Sequence, residues 1–92
     1  MYQAEITIIG EEDIHTVGAD TLPILRWKLK EIQKNAFIEE GDVVEVEHVY
    51  LDGSEDSELA LQLDAELEQY ILGLERLAQE NLNLALHGPG GV

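Results

Sequence analysis

An apolar stripe in the second half of the chain is the sequence feature that most constrains the fold. Its members recur at alternating intervals of three and four residues, as on one face of an α-helix. They are Ala60, Leu63, Leu67, Tyr70, Leu74 and Leu77. Either Ser54 or Ser57 can cap this helix, which would then have about 25 residues and a length of about 38 Å. The rest of the chain must supply a surface that covers so long a stripe.

A second, shorter helix is predicted near the middle of the chain. Asp20 or Thr21 can cap it, and Pro23 falls in its first turn, where a missing N–H does no harm. Apolar residues then follow at i, i+4, i+7 and i+11, which places them on one helical face. They are Leu25, Leu29, Ile32 and Ala36. We therefore expect a helix that ends near Ala36.

Two segments alternate between polar and apolar residues, as strands do. The first covers residues 3–9 and ends at Gly10, and the second covers residues 43–51 and ends at Asp52-Gly53. Strict alternation in the second places Val44, Val46, His48 and Tyr50 on one face. Residues 14–17 could form a short return strand. The prediction is an α+β fold with a two- or three-stranded antiparallel sheet and two helices, the C-terminal one long.

The end of the chain leaves one structural alternative open. Residues 81–86 alternate, so they could continue the long helix or form a last strand. Residues 87–92 are rich in glycine and proline, which is typical of a flexible tail. We therefore expect a single acidic domain over residues 1–86, followed by a tail over residues 87–92.

The charge of the chain bears on its partners. Twenty Asp and Glu oppose five Lys and Arg, for a net charge of −15. A body with that charge repels nucleic acid and anionic membranes and attracts the basic proteins that hold them. An apolar content of 45% favours a folded chain over a disordered acidic tail. The chain has no cysteine, no recognisable signal peptide and no long apolar stretch, so we expect a cytoplasmic protein without a membrane partner.

No catalytic or metal-binding pattern stands out. The three histidines fall in separate predicted elements, and no calcium loop or phosphate-binding loop is present. On a regular strand Glu47 and His48 would point to opposite faces and could not ligate one metal ion. We therefore expect no enzyme activity, no cofactor and no metal.

The basic residues of the first helix, in contrast, are clustered. Arg26, Lys30 and Lys34 form one stripe, and Trp27 lies close to it, almost opposite the apolar face. Two interpretations stay open. Trp27 could be a core residue while the cations neutralise nearby carboxylates, or it could be an exposed anchor that contacts a partner together with Arg26 and Lys30.

The long helix carries a row of acids beside its apolar stripe, formed by Asp64, Glu68 and Glu75. Residues one helical turn apart have Cβ atoms about 5–6 Å apart, comparable to a phosphate spacing along one strand, so this row could imitate a nucleic-acid backbone. The alternative is an ordinary solvated face. In size, charge and lack of cysteine the chain resembles the small acidic DNA-mimic proteins that phages use against host defences. That resemblance in composition implies an inhibitor that occupies the nucleic-acid site of a basic protein.

A second hypothesis follows from the length of the apolar stripe. If the helix is longer than the small sheet can cover, the surplus stripe would pair with a second copy of the chain. The protein would then be a structural homodimer with a contact through Leu63, Leu67, Tyr70, Leu74 and Leu77.

Overall fold

The computed structural model describes residues 1–9 and 11–87, with side chains as far as Glu80. Six elements follow one another along the chain. They are β1 (Tyr2–Ile8), β2 (Ile14–Ala19), α1 (Leu22–Glu40), β3 (Val44–Leu51), β4 (Ser54–Glu55) and α2 (Ser57–His87). The predicted α+β class and the long C-terminal helix are confirmed.

The sheet has four strands, in the order β2-β1-β3-β4, so the prediction of two or three was wrong. All neighbouring strands are antiparallel. The additional strand arises at the sequence Asp52-Gly53, where the prediction ended the sheet. Both residues have positive φ, 50° and 84°, the conformation of a tight two-residue hairpin turn. The chain therefore turns back and pairs Ser54 with Leu51.

The helix ends differ from the predicted ones. Helix α1 continues past Ala36 to Glu40 and ends at Gly41, whose φ of 70° is readily adopted by glycine. Helix α2 is capped by Asp56, because an oxygen of its carboxylate accepts the Leu59 N–H at 3.0 Å. Residues 81–86 belong to α2, so their alternative assignment as a strand was wrong. Beyond residue 87 the predicted tail lies outside the described residues.

One face of the sheet is covered by the two helices, and this contact forms the hydrophobic core. Each strand contributes alternate apolar residues, and each helix contributes one face. The core comprises Ala4, Ile6, Val17, Ala19, Leu25, Leu29, Val44, Val46, Val49, Ala60, Leu63 and Leu67. The opposite face of the sheet has no covering layer among the described residues.

A β-bulge in β3 changes which of its residues face the core. Ile6 of β1 pairs with Val46 and Glu5 with His48, which leaves Glu47 as the extra residue. Val44 and Val46 point into the core as predicted, but beyond the bulge it is Val49 that is buried. The predicted placement of His48 and Tyr50 on the same face as Val44 was therefore wrong. Strict alternation cannot anticipate an inserted residue.

Helix α2 is longer than the sheet that supports it. It has 31 residues, which at 1.5 Å per residue is about 46 Å. Among its described side chains the last buried one is Ile71, and those of residues 75–80 are exposed. The molecule accordingly measures 58 Å in its longest dimension against 27 Å and 18 Å in the others.

Candidate functional site

The two layers of the molecule differ in where their basic residues lie. All five Lys and Arg lie on helices, four on α1 and one on α2, and the strands carry none. The uncovered side of the sheet carries four glutamates, which we call the acidic sheet face. They are Glu5, Glu45, Glu47 and Glu55. This face is the strongest candidate for a binding surface, because its carboxylates lie on a rigid element and are not covered by helices.

Strand alternation and the bulge together place these carboxylates. Glu5 lies on β1 between the buried residues Ala4 and Ile6, so it must point away from the core. Glu45 is opposite Thr7 in the register and faces the same side. The bulge then turns both Glu47 and His48 outward, although they are neighbours in sequence.

Hydrogen bonds orient two of the carboxylates. The Thr7 hydroxyl donates to Glu47 Oε1 at 2.9 Å. The His48 Nδ1 atom lies 2.8 Å from Glu55 Oε1, across the β3–β4 pair. Both contacts hold carboxylates above the sheet and leave the second oxygen of each carboxylate for other donors. The arrangement can bind cationic groups.

Tyr50 extends this network toward β1. A hydrogen bond to Glu5 raises the pKa of the Tyr50 phenol above its ordinary value of 10, because the neutral phenol donates to the carboxylate. The rings of His48 and Tyr50 are 6.2 Å apart, centre to centre. His48 and Tyr50 therefore connect Glu5 on β1 with Glu55 on β4.

A further group of acids lies where the β1–β2 turn meets the α1–β3 loop. A hydrogen bond to Asp42 raises the pKa of Glu40, and the negative charges of Asp42, Glu11 and Glu39 act in the same direction. Glu11, Glu39, Glu40 and Asp42 thus form a second cluster of negative charge at this end of the molecule.

The predicted acidic row on α2 is only partly available. Asp64 is half-buried, and its Oδ1 accepts the Val46 N–H at 3.0 Å, which satisfies a backbone donor on the open edge of β3. Glu68 and Glu75 are exposed. The row therefore includes two free carboxylates and one with a structural role.

The residues of the predicted basic cluster also have different roles. Arg26 Nε lies 3.1 Å from the Glu66 carboxylate, so this cation joins α1 to α2. Lys28 Nζ donates to the Gly18 carbonyl at 2.6 Å. Lys30 is exposed, and no carboxylate in the described part of the chain lies within 4 Å of it. Trp27 is 63% exposed, so the interpretation of Trp27 as a core residue was wrong.

The five residues of the predicted dimer contact fall into two groups. Leu63 and Leu67 are buried in the core of their own chain. Tyr70 and Leu74 are half-buried, and Leu77 is 57% exposed. A contact between copies along this stripe would thus be confined to the part of α2 beyond the sheet. The dimer itself stays a prediction.

Sequence reasoning missed the acidic sheet face. The polar side of β1 was visible as the alternation of Gln3, Glu5 and Thr7, but nothing in the sequence marks the bulge that adds His48 to Glu47 on that side. Within the described residues no three His, Asp or Glu side chains come together in a way that could hold a metal ion. The described helices also contain no apolar stretch long enough to cross a bilayer.

Comparison with known proteins does not place this fold or this surface in a family. A scan against protein-family models finds no match, and searches of curated proteins and of solved structures find no significant match either.

Proposed function

We propose that this protein is a non-catalytic acidic binding protein whose acidic sheet face binds a basic, nucleic-acid-handling protein and blocks its nucleic-acid site. The observation that carries the proposal is that the uncovered side of the sheet carries charge of one sign, with four glutamates and no Lys or Arg. A surface of one sign attracts a partner of the opposite sign and speeds its association.

The geometry of a sheet suits such a role. Neighbouring strands lie about 4.8 Å apart, so carboxylates on adjacent strands form rows of closely spaced negative charge. The Thr7–Glu47 and His48–Glu55 contacts fix two of these side chains before binding, which lowers the conformational entropy that binding must remove. A partner that holds phosphates through Lys and Arg would find a comparable set of acceptors here.

The test compares two variants of equal charge. In the first, Glu45, Glu47 and Glu55 are all changed to Gln; in the second, Glu58, Glu68 and Glu75 on α2 are changed to Gln. Partners are captured from lysate on the immobilised full chain at low salt and then displaced with duplex DNA or with rising salt. We expect the sheet variant to lose the DNA-displaceable partner and the α2 variant to retain it.

Two results would contradict the proposal. One is a captured partner that DNA cannot displace. The other is equal loss by both variants, which would mean that net charge alone decides binding. If only the α2 variant loses the partner, the exposed acids of that helix form the binding surface instead.

A second candidate function is a structural or assembly protein that forms a homodimer through its C-terminal helix. The extension of α2 beyond Ile71, with Leu77 exposed, favours it. Light scattering of the purified chain decides between monomer and dimer.

A further inference from the structure

The outer surface of the helix layer, on the side away from the sheet, carries several large apolar side chains that are exposed to solvent. On α1, Ile24, Trp27 and Ile38 lie along one line opposite the buried residues of that helix, and they are 43%, 63% and 66% exposed. On α2, Leu72 is 53% exposed. Exposed apolar side chains that share one face can form an interaction surface.

A shallow groove joins the two halves of this surface. It lies between the helices and is lined by Lys30, Gln62, Ala65, Glu66, Gln69 and Tyr70. Its lining residue Glu66 forms an ion pair with Arg26, which holds α1 and α2 side by side. The α1 half and the α2 half of the outer surface are thus adjacent.

The two halves differ in charge as well. On the outer side, helical spacing places Lys30, Lys34 and Glu31 of α1, and Glu58, Glu66, Glu80 and Arg76 of α2. The α1 half is therefore net positive and the α2 half net negative. A surface whose halves have opposite charge is complementary to a second copy of itself, provided that the symmetry places each half over the opposite half of the other copy.

We propose that two copies pack through this outer helix surface, around a twofold axis that runs along the helices. Such an axis places α1 of each copy over α2 of the other. A twofold axis across the helices would instead place α1 over α1 and bring their lysines together, which costs energy. Charge thus selects the first arrangement.

The size of the surface fits a modest dimer. Helix α1 has 19 residues, so it is about 28 Å long, and two helices side by side are about 20 Å wide. The resulting footprint of roughly 600 Å² per copy is somewhat below the roughly 800 Å² per partner of a standard interface. We therefore expect a dimer that dissociates on dilution. Both acidic sheet faces would lie on the outside, far from each other.

This inference rests on the homodimer candidate above and replaces the end of α2 by the outer faces of both helices as the contact. It is independent of the acidic sheet face.

Sedimentation equilibrium of the full chain at several concentrations provides the first test. Wild type and an Ile14→Glu control, altered on the far edge of the sheet, are expected to show a dimer at high concentration. Trp27→Glu and Leu72→Glu are expected to stay monomeric with an unchanged circular dichroism spectrum.

Cross-linking tests the arrangement, since the chain has no cysteine of its own. Lys34→Cys and Leu72→Cys variants are mixed and treated with a short bis-maleimide. We expect a heterodimeric product from the mixture and little product from Lys34→Cys alone.

Three outcomes would overturn the inference. They are a wild type that is monomeric at every concentration, a Trp27→Glu variant that remains dimeric, and efficient cross-linking of Lys34→Cys to itself. If only Leu77→Glu abolishes the dimer, the contact lies at the end of α2. The protein would then be a homodimer that does not use the outer helix surface.

Discussion

Gln33 is fully buried and joins α1 to the start of β3, so its replacement is the most direct test of the structure. Its Oε1 accepts the Val44 N–H at 2.7 Å, and its Nε2 donates to the Asp42 carbonyl at 3.0 Å. The Val44 N–H lies on the open edge of the sheet, where no neighbouring strand can accept it. The amide of Gln33 therefore takes the place of a strand partner.

The substitution Gln33→Leu keeps the approximate volume and removes both hydrogen bonds. An unsatisfied buried N–H costs about 1–3 kcal/mol, and a lost hydrogen bond to the loop carbonyl adds about 1 kcal/mol. Burial of a more apolar side chain offsets part of this cost. We expect a net loss of about 2 kcal/mol in the free energy of unfolding, which for a chain of this size lowers Tm by about 8–16 °C.

Urea denaturation and thermal melts of Gln33→Leu are compared with wild type. A matched control is Gln3→Leu, because Gln3 is exposed on β1 and has no such contacts. We expect the control to stay within about 0.5 kcal/mol of wild type. If Gln33→Leu is as stable as the control, the amide bridge contributes nothing and the physical argument for this junction is wrong.

Four further outcomes are expected. Raising salt from about 0.01 M to 0.1 M shortens the Debye length from about 30 Å to 10 Å and should raise Tm by several degrees, whereas a flat Tm would show that the charges are already compensated. Glu5→Gln should lower the pKa of Tyr50 toward 10 in an NMR titration, and an unchanged midpoint would contradict the Glu5 contact. Since the pKa of Glu40 is raised in the folded state, its contribution to stability is present at low pH and is lost as pH rises through that pKa. Glu40→Gln should therefore stabilise the protein at pH 7 and flatten this dependence in melts at pH 4–7. Leu67→Asp should unfold the chain rather than yield a folded monomer, because Leu67 is buried in its own core, and a folded circular dichroism spectrum would disprove this placement.

Features that depend on local periodicity could be predicted from the sequence. The 3-4 spacing of Leu63 and Leu67 predicted α2, the spacing of Leu25 and Leu29 predicted α1, and alternation predicted β1 and β3. Each of these patterns repeats over many residues, so that one irregular position does not obscure it. The excess of acidic over basic residues can likewise be counted from the sequence without a structure.

Features that depend on one residue, or on contacts between distant segments, could be seen only in the folded chain. The bulge at Glu47 exists because β3 must pair with β1 while burying both Val46 and Val49, and only this pairing turns His48 outward. Trp27 is exposed because the two helices and the sheet close the core without it. The acidic sheet face arises from the same cause: its carboxylates are far apart in sequence, and it is the pairing of three strands that brings them onto one surface.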